Sequence, residues 1–279
     1  MATFIEIAGF SSGPFADDTF DSADTGDNFL IGDAGNTLLG PGTGGNDTLS
    51  ISASSSGTNV IAGDSSNLAS GATGGNDSLT GGDNAERNEM YGDAYNMQAF
   101  STGGNDLLIA GDGAFTNEMY GDAYFGNFQS VGGNDTLISG TGNDLLVGDF
   151  MFQFGALTGS DIFVFRPDNG QDQIVDFERG KDKIDLSELV IIDLSIPKKG
   201  LDRHPEKALD ALLARHSQSL SFDDLDSNGS GVLDDGDDFV SVADGQTTID
   251  LGAALGGAVG ENTVEILDVT GLTVDDFIF

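Results

Sequence analysis

The sequence predicts an all-β fold: a right-handed parallel β-roll, that is, a solenoid with extended loops, capped by a mixed β/α C-terminal domain. Three observations carry this. A Gly-Gly-Asn-Asp block begins at Gly44, Gly74, Gly103 and Gly132, at spacings of 30, 29 and 29 residues. A Gly-Asp pair recurs at Gly63-Asp64, Gly92-Asp93 and Gly121-Asp122 with a 29-residue period. Short stretches with alternating apolar residues follow these blocks, which is strand periodicity rather than helix periodicity. A fixed period of this length marks a stacked solenoid, in which each coil buries its apolar residues against its neighbours.

Composition narrows what such a solenoid can be. Asp and Glu number 47 against 10 Lys and Arg, a formal net charge of −37. Like charge of that density opposes compaction. Disorder is the wrong answer, because 38% of residues are apolar and 19 are Phe. Bound cations are the economical answer. The same charge makes nucleic acid and anionic membrane surfaces poor partners. The absence of Cys excludes disulfides and thiolate metal sites. No apolar run is long enough to insert into a membrane, and Met1–Ile7 has no basic region before an apolar stretch, so no Sec signal peptide is expected. Only Arg87 among the basic residues precedes Arg166. That asymmetry sets a boundary near Thr158 and three expected regions: a lead or capping segment over 1–25, the roll over 26–158 and the cap over 159–279.

Within the roll, each unit carries two strand signals. The first follows the Asn-Asp pair and places Leu49, Leu79, Leu107 or Leu108, and Leu137 inward. The second, Asn-x-apolar, places Leu38, Val60 or Ile61, Met90, Met119 and Leu146 inward. Residues 26–43 read as a shorter unit of two nonapeptides. Gly before the turn acid is expected to supply a positive φ. The middle units carry about eleven residues more than a plain two-strand coil of 18. Most of these follow Gly-Asp, as in 94–102, 123–131 and 150–154. These read as extended loops stacked into an aromatic ridge that contains Tyr95, Tyr124 and Phe150, either a secondary core or a contact surface.

The nonapeptide Gly140-Thr141-Gly142-Asn143-Asp144-Leu145-Leu146-Val147-Gly148 resembles the RTX (repeats-in-toxin) repeat. The resemblance implies that turn Asp residues and carbonyls of stacked coils ligate Ca²⁺. Hard oxygen ligands on glycine-rich turns suit that ion independently. One edge offers Asp47, Asp77, Asp106 and Asp135. The opposite edge offers Asn36, Asn59, Asn88 and Asn117, with Asp144 as the exception. The Gly-Asp acids Asp64, Asp93, Asp122 and Asp149 complete the candidate set. Amide oxygens are weaker calcium ligands, so one strong and one weak or partly empty row is expected. The alternative for the Asn residues is an amide ladder.

The C-terminal region, through Gly159–Phe165 and Gln173–Ser187, is similar to the C-terminal domain of serralysin-type proteases. That similarity implies an end to the roll and a route to an export signal. Pro205–His216 reads as an amphipathic helix, with His204 and His216 as packing residues. Asp226–Asp237 fits an EF-hand-like loop: Asp226, Asn228, Ser230, the Val232 carbonyl, Asp234 and Asp237 stand at the ligand positions, with Gly231 at the turn and Leu233 at the apolar position. Strands are expected at Thr247–Leu251 and Thr263–Leu267. The ending Asp275-Asp276-Phe277-Ile278-Phe279 is similar to a type I secretion signal.

No His-Glu-x-x-His and no Gly-x-Ser-x-Gly occurs, and Gly63-Asp64-Ser65-Ser66 is a repeat turn, so no enzyme is expected. The expectation is a secreted calcium-binding structural protein of the cell surface or extracellular matrix that folds and self-assembles on Ca²⁺ binding. Its partners would be calcium ions, further copies of itself and the type I secretion machinery. The alternatives are an extracellular module for glycan, ice or surface adhesion, with Thr43, Thr73 and Thr102 as an outward ladder, or an enzyme of another type.

Overall fold

A computed structural model describes residues 3–6, 15–38, 40–52, 56–192 and 217–279. The chain winds as a parallel solenoid whose coils each contribute three strands. One coil illustrates the path. Arg87–Tyr91 lies in a ten-stranded long sheet, the chain turns at Gly92-Asp93, and Ala94–Met97 lies in a five-stranded short sheet. It returns past Thr102, bridged in parallel to Thr73 and Val131, turns at Gly103–Asp106, and enters an eight-stranded second sheet as Leu107–Ile109.

The register is the sequence period made physical. Asn88 pairs with Asn117 and Met90 with Met119 in the long sheet, and Leu108 pairs with Leu79 and Leu137 in the second. Because side chains alternate across a strand, one inward residue per strand stacks on its equivalent in the next coil. Leu30, Ile61, Met90, Met119 and Leu146 thus face Leu49, Leu79, Leu108, Leu137 and Phe163 in the main core.

The segments expected as extended loops are the strands of the short sheet, Ser65–Leu68, Ala94–Met97, Ala123–Gly126 and Phe150–Gln153. Their inner residues Leu68, Ala94, Met97, Ala123 and Phe150, with Leu38 and Ala72, form a second core. Eleven extra residues are enough for one more strand and a return, so each coil closes a second lobe. Phe150 is therefore core, while Tyr95 is 44% exposed. Leu38 and Asn36 lie in Ala34–Leu38, a short-sheet strand, and the first coil's position in the main core belongs to Leu30. Asn28-Phe29-Leu30 and Asn36-Thr37-Leu38 fit the same local Asn-x-apolar pattern, and only strand pairing separates them.

The C-terminal region continues the two larger sheets. Ile162–Val164 and Lys183–Asp185 extend the second sheet, and Gln171–Ile174 extends the long one. Thr263–Ile266 then adds in parallel to Gln171–Ile174, and Phe277–Ile278 to Lys183–Asp185. Gln246–Asp250 and Val240–Ala243 follow antiparallel and close the long sheet. One core runs from Leu30 to Phe277 through both parts. The helices among the described residues are single turns, Phe222–Leu225 and Leu251–Ala254, with a 3-10 turn at Val274–Asp276. The helix expected at Pro205–His216, and both histidines, lie outside the described residues.

Candidate metal centre

The two lobes join at a waist where the Gly-Asp turn and the Gly-Gly-Asn-Asp turn of each coil face one another. Backbone donors fix both acids. The N–H of Gly104 donates to Asp93 (2.9 Å), Gly133 to Asp122 (2.9 Å) and Gly159 to Asp149 (2.7 Å), so each Gly-Asp carboxylate ties the two walls of its own coil. The N–H of Asp47 donates to Oδ1 of Asp77, that of Asp77 to Asp106, and that of Asp106 to Asp135, each at 2.6 Å. Each carboxylate on this second wall thereby ties one coil to the next.

These bonds use one oxygen of most of the acids. The other oxygens, Oδ1 of Asp33 and Oδ2 of Asp47, Asp77, Asp93, Asp106, Asp122, Asp135 and Asp161, are buried with no hydrogen-bond partner. Eight carboxylate oxygens in one column without a donor are far outside normal protein practice, since a buried charge must be paired or bound to a metal. Glycine carbonyls share the column. A Cβ on Gly92 would lie 1.7 Å from the Gly121 carbonyl oxygen and 2.2 Å from Asp106 Oδ2. A Cβ on Gly63 would lie 2.0 Å from the Gly92 carbonyl oxygen and 1.9 Å from Asp77 Oδ2. Only glycine leaves this cradle open. Gly63, Gly92, Gly121 and Gly148 do not carry the positive φ expected of them, so crowding and not backbone handedness dictates the residue.

Electrostatics state the same problem. Burial pushes the Asp47 and Asp149 carboxyls up to about 7 and those of Asp77 and Asp161 up to about 9. Asp64, Asp106 and Asp122 are raised well above the usual carboxylate range by burial first and by neighbouring acids of the column second. Asp135 is raised by burial and by Asp161. A column of carboxylates and carbonyls is an all-oxygen, hard donor set that fits Ca²⁺. At its N-terminal end Asp18, Asp33 and Asp47 each bring an oxygen within 4.8 Å of the others.

The expected candidates sort by place. Asp47, Asp77, Asp106 and Asp135 line one wall of the waist, and Asp64, Asp93, Asp122 and Asp149 line the other. Asp18, Asp33, Asp161, Asp176 and Asp182 extend the same column and escaped the sequence reading. Their signal was present in the period: Asp18 stands 29 residues before Asp47, and Gly32-Asp33 is a further Gly-Asp pair. The Asn row stands at the far corner of the main lobe and pairs with itself. The Asn59 side-chain amide donates to Asn88 (2.7 Å), Asn88 to Asn117 (2.7 Å) and Asn117 to Asp144 (2.7 Å), with Asn28 donating to Asn59 (2.9 Å) at the start. An amide carries both donor and acceptor, so this column closes with no ion. Asp144 also accepts from the Gly140 N–H (2.9 Å). Asn36 is exposed on the short sheet and has no place in either column.

The Asp226–Asp237 loop turns in on its own oxygens. Asp226 accepts from the N–H of Ser230 (3.0 Å) and of Gly231 (2.7 Å), Asp237 accepts from those of Asn228 (3.1 Å) and Asp234 (2.9 Å), and Ser230 Oγ donates to the Val232 carbonyl (2.8 Å). Gly231 sits at φ +83 and Leu233 is buried. A single helical turn precedes the loop and the strand Val240–Ala243 follows it, where an EF-hand has a helix on each side.

No curated protein matches the chain. A family model does, over residues 18–251, which spans the roll, the waist and most of the cap. With its period, its parallel coils and its column of turn acids, this chain belongs to the peptidase M10 serralysin C-terminal family.

Proposed function

We propose that the protein is a secreted structural protein whose roll is held together by calcium ions along the waist. The observation that carries this reading is the column of eight buried carboxylate oxygens without donors. The family suggests a calcium-binding repeat protein, and its matched region is the non-catalytic C-terminal part of serralysin-type peptidases. The ligands are Asp47, Asp77, Asp106 and Asp135 on one wall, Asp64, Asp93, Asp122 and Asp149 on the other, and the glycine carbonyls between them. Asp226, Asn228, Ser230, Val232, Asp234 and Asp237 hold a separate ion at the cap. The family's typical export by type I systems supports an extracellular or cell-surface location.

Self-assembly is the finer part of the proposal. Phe100, Phe128, Phe152 and Phe154 are 43–58% exposed on the outer lobe, a concentration of bare rings that favours contact between copies once calcium has lowered their mutual repulsion. Calorimetric titration of the calcium-free chain, followed by light scattering in millimolar calcium, tests both parts. Several binding events coupled to folding, then growth in scattering that Phe128→Ser with Phe154→Ser abolishes, are the expected results. Titration heats for one site or none contradict the calcium column, and a monomer at all calcium concentrations contradicts assembly.

A further inference from the structure

The outer faces of the long and short sheets meet at the Gly-Asp turns in a re-entrant angle filled by a third hydrophobic cluster, in which Ile31, Ala62, Tyr91, Tyr120 and Val147 are buried and Phe29, Val60 and Tyr124 pack against them. Two successive coils place Tyr-Gly-Asp-Ala-Tyr there, as Tyr91–Tyr95 and Tyr120–Tyr124. Tyr91 stacks on Tyr120 with centroids 5.1 Å apart, and Tyr95 stacks on Tyr124 at 5.3 Å. The two stacks meet edge to face, Tyr91 against Tyr95 at 5.6 Å and 86°. The preceding coil fills the same five positions with Ala62-Gly63-Asp64-Ser65-Ser66, in register with Tyr91 at Ala62 and with Ala94 at Ser65. Both stacks therefore stop one coil short. They leave a pocket of about 270 Å³ lined by the exposed Tyr95 ring, with the buried Tyr91 ring behind it.

The rest of the pocket is apolar save for one carboxylate, one hydroxyl and one amide. Phe29 adds a third ring, and Val60 and Ala62 form the floor. Glu89 stands at the lip, accepting from the Tyr91 hydroxyl and paired with Arg87 at 3.0 Å. Arg87 also pairs with Glu118, so one cation serves two carboxylates. The local charge is negative on a chain of net charge −37.

We propose that this pocket binds a quaternary ammonium group of the kind choline carries. The exposed Tyr95 ring offers a negative face to a cation, Glu89 adds a carboxylate, and the apolar surroundings suit methyl groups better than the water shell of sodium or potassium. The field of the acidic body draws organic cations and repels anions. A sugar would need hydrogen bonds around its whole rim, which a mainly apolar pocket does not supply.

The chain carries its own probe. Its four tyrosines are Tyr91, Tyr95, Tyr120 and Tyr124, and it has no Trp, so tyrosine emission reports on this angle alone. The calcium-loaded full chain is titrated with choline, and with its neutral carbon isostere dimethylbutanol, at constant ionic strength. A saturable change with choline, about tenfold weaker with the isostere, is expected from the cation–ring attraction. Ala62→Tyr with Ser66→Tyr completes the stacks as the next coils do, and should abolish the response while calcium-dependent circular dichroism is unchanged. Should that pair fail to fold, Tyr95→Leu, which keeps apolar volume and loses the ring, should weaken choline binding about tenfold. Sedimentation with phosphatidylcholine vesicles then assigns a lipid headgroup as the source, and choline binding without sedimentation assigns a soluble one. No saturable response, equal affinity for the isostere, undiminished binding by a folded filled variant, or equal sedimentation with phosphatidylglycerol vesicles overturns the proposal.

Discussion

Asp106 and Asn117 stand at opposite corners of one coil, Asp106 at the waist and Asn117 at the far end of the main lobe, and solve opposite problems. Asp106 has one oxygen bonded and one bare, whereas Asn117 donates and accepts within a closed ladder. Asp106→Asn keeps an acceptor for the Asp77 N–H and removes a buried charge. It should stabilise the calcium-free protein and weaken the calcium-bound one, so the calcium-induced rise in melting temperature shrinks. Asn117→Ala leaves the Gly111 N–H without its acceptor and removes one partner each from the Asn88 amide and Asp144, and should cost about 1–3 kcal/mol with or without calcium. Urea melts in calcium and in chelator separate the two, and an equal loss of calcium response in both variants would refute the division of labour.

The pH response follows from the same oxygens. Without metal, the folded-state pKa values of Asp47, Asp77, Asp149 and Asp161 lie at about 7 to 9, above the ordinary value near 4 of an unfolded chain. A group raised on folding contributes stability that is complete below the unfolded value and is lost as pH climbs through the folded one. The calcium-free chain should therefore hold most β structure at or below about pH 4 and lose it progressively as pH rises to about 9. With calcium the sign reverses, because protons compete with the ion. Circular dichroism across that range in metal-free buffer checks it, and a calcium-free fold that is more stable at pH 8 than at pH 4 contradicts it.

At the scale of the element, the short sheet is the part that sequence reading mistook for loops. The 29-residue period, the inward Leu and Met residues of the two large sheets and most of the waist acids are plain in local pattern, because each is marked by a glycine or an asparagine at fixed offset. The short strands are not. Ala-Tyr-Asn-Met and Ala-Tyr-Phe-Gly bury residues as small as Ala94 and Gly126 beside Met97, so apolar alternation is weak and the strand exists through pairing with its neighbours. Asn36 was misplaced for the related reason that its coil has two identical local signals. The Asp226–Asp237 loop was legible as a loop, since its spacing alone sets the glycine and buried Leu233. Its exit into a strand was not, because that depends on sheet closure by residues far along the chain. If the outer lobe is true core, Met97→Ala should cost about 2–5 kcal/mol in calcium-loaded urea melts. Loss below about 0.5 kcal/mol, the range of surface changes, would return the segment to the status of a loop.

Across the whole molecule, the waist decides whether the two lobes stay together. The two larger hydrophobic cores abut a column of buried acids, and on that column folding gains nothing until positive charge enters. One calcium site at 100 times its dissociation constant adds about 2.7 kcal/mol, so a handful of sites exceeds the net stability of an ordinary domain. A chain with formal charge −37 then has a direct reason to stay unfolded where calcium is scarce and to fold where it is abundant. The measurement that tests this most directly is far-UV circular dichroism of the full chain at neutral pH, first with chelator and then in millimolar calcium. The account predicts a largely unfolded spectrum that converts to a β spectrum on calcium addition and reverts on chelation; a β spectrum of full amplitude in chelator, unchanged by calcium, would contradict it.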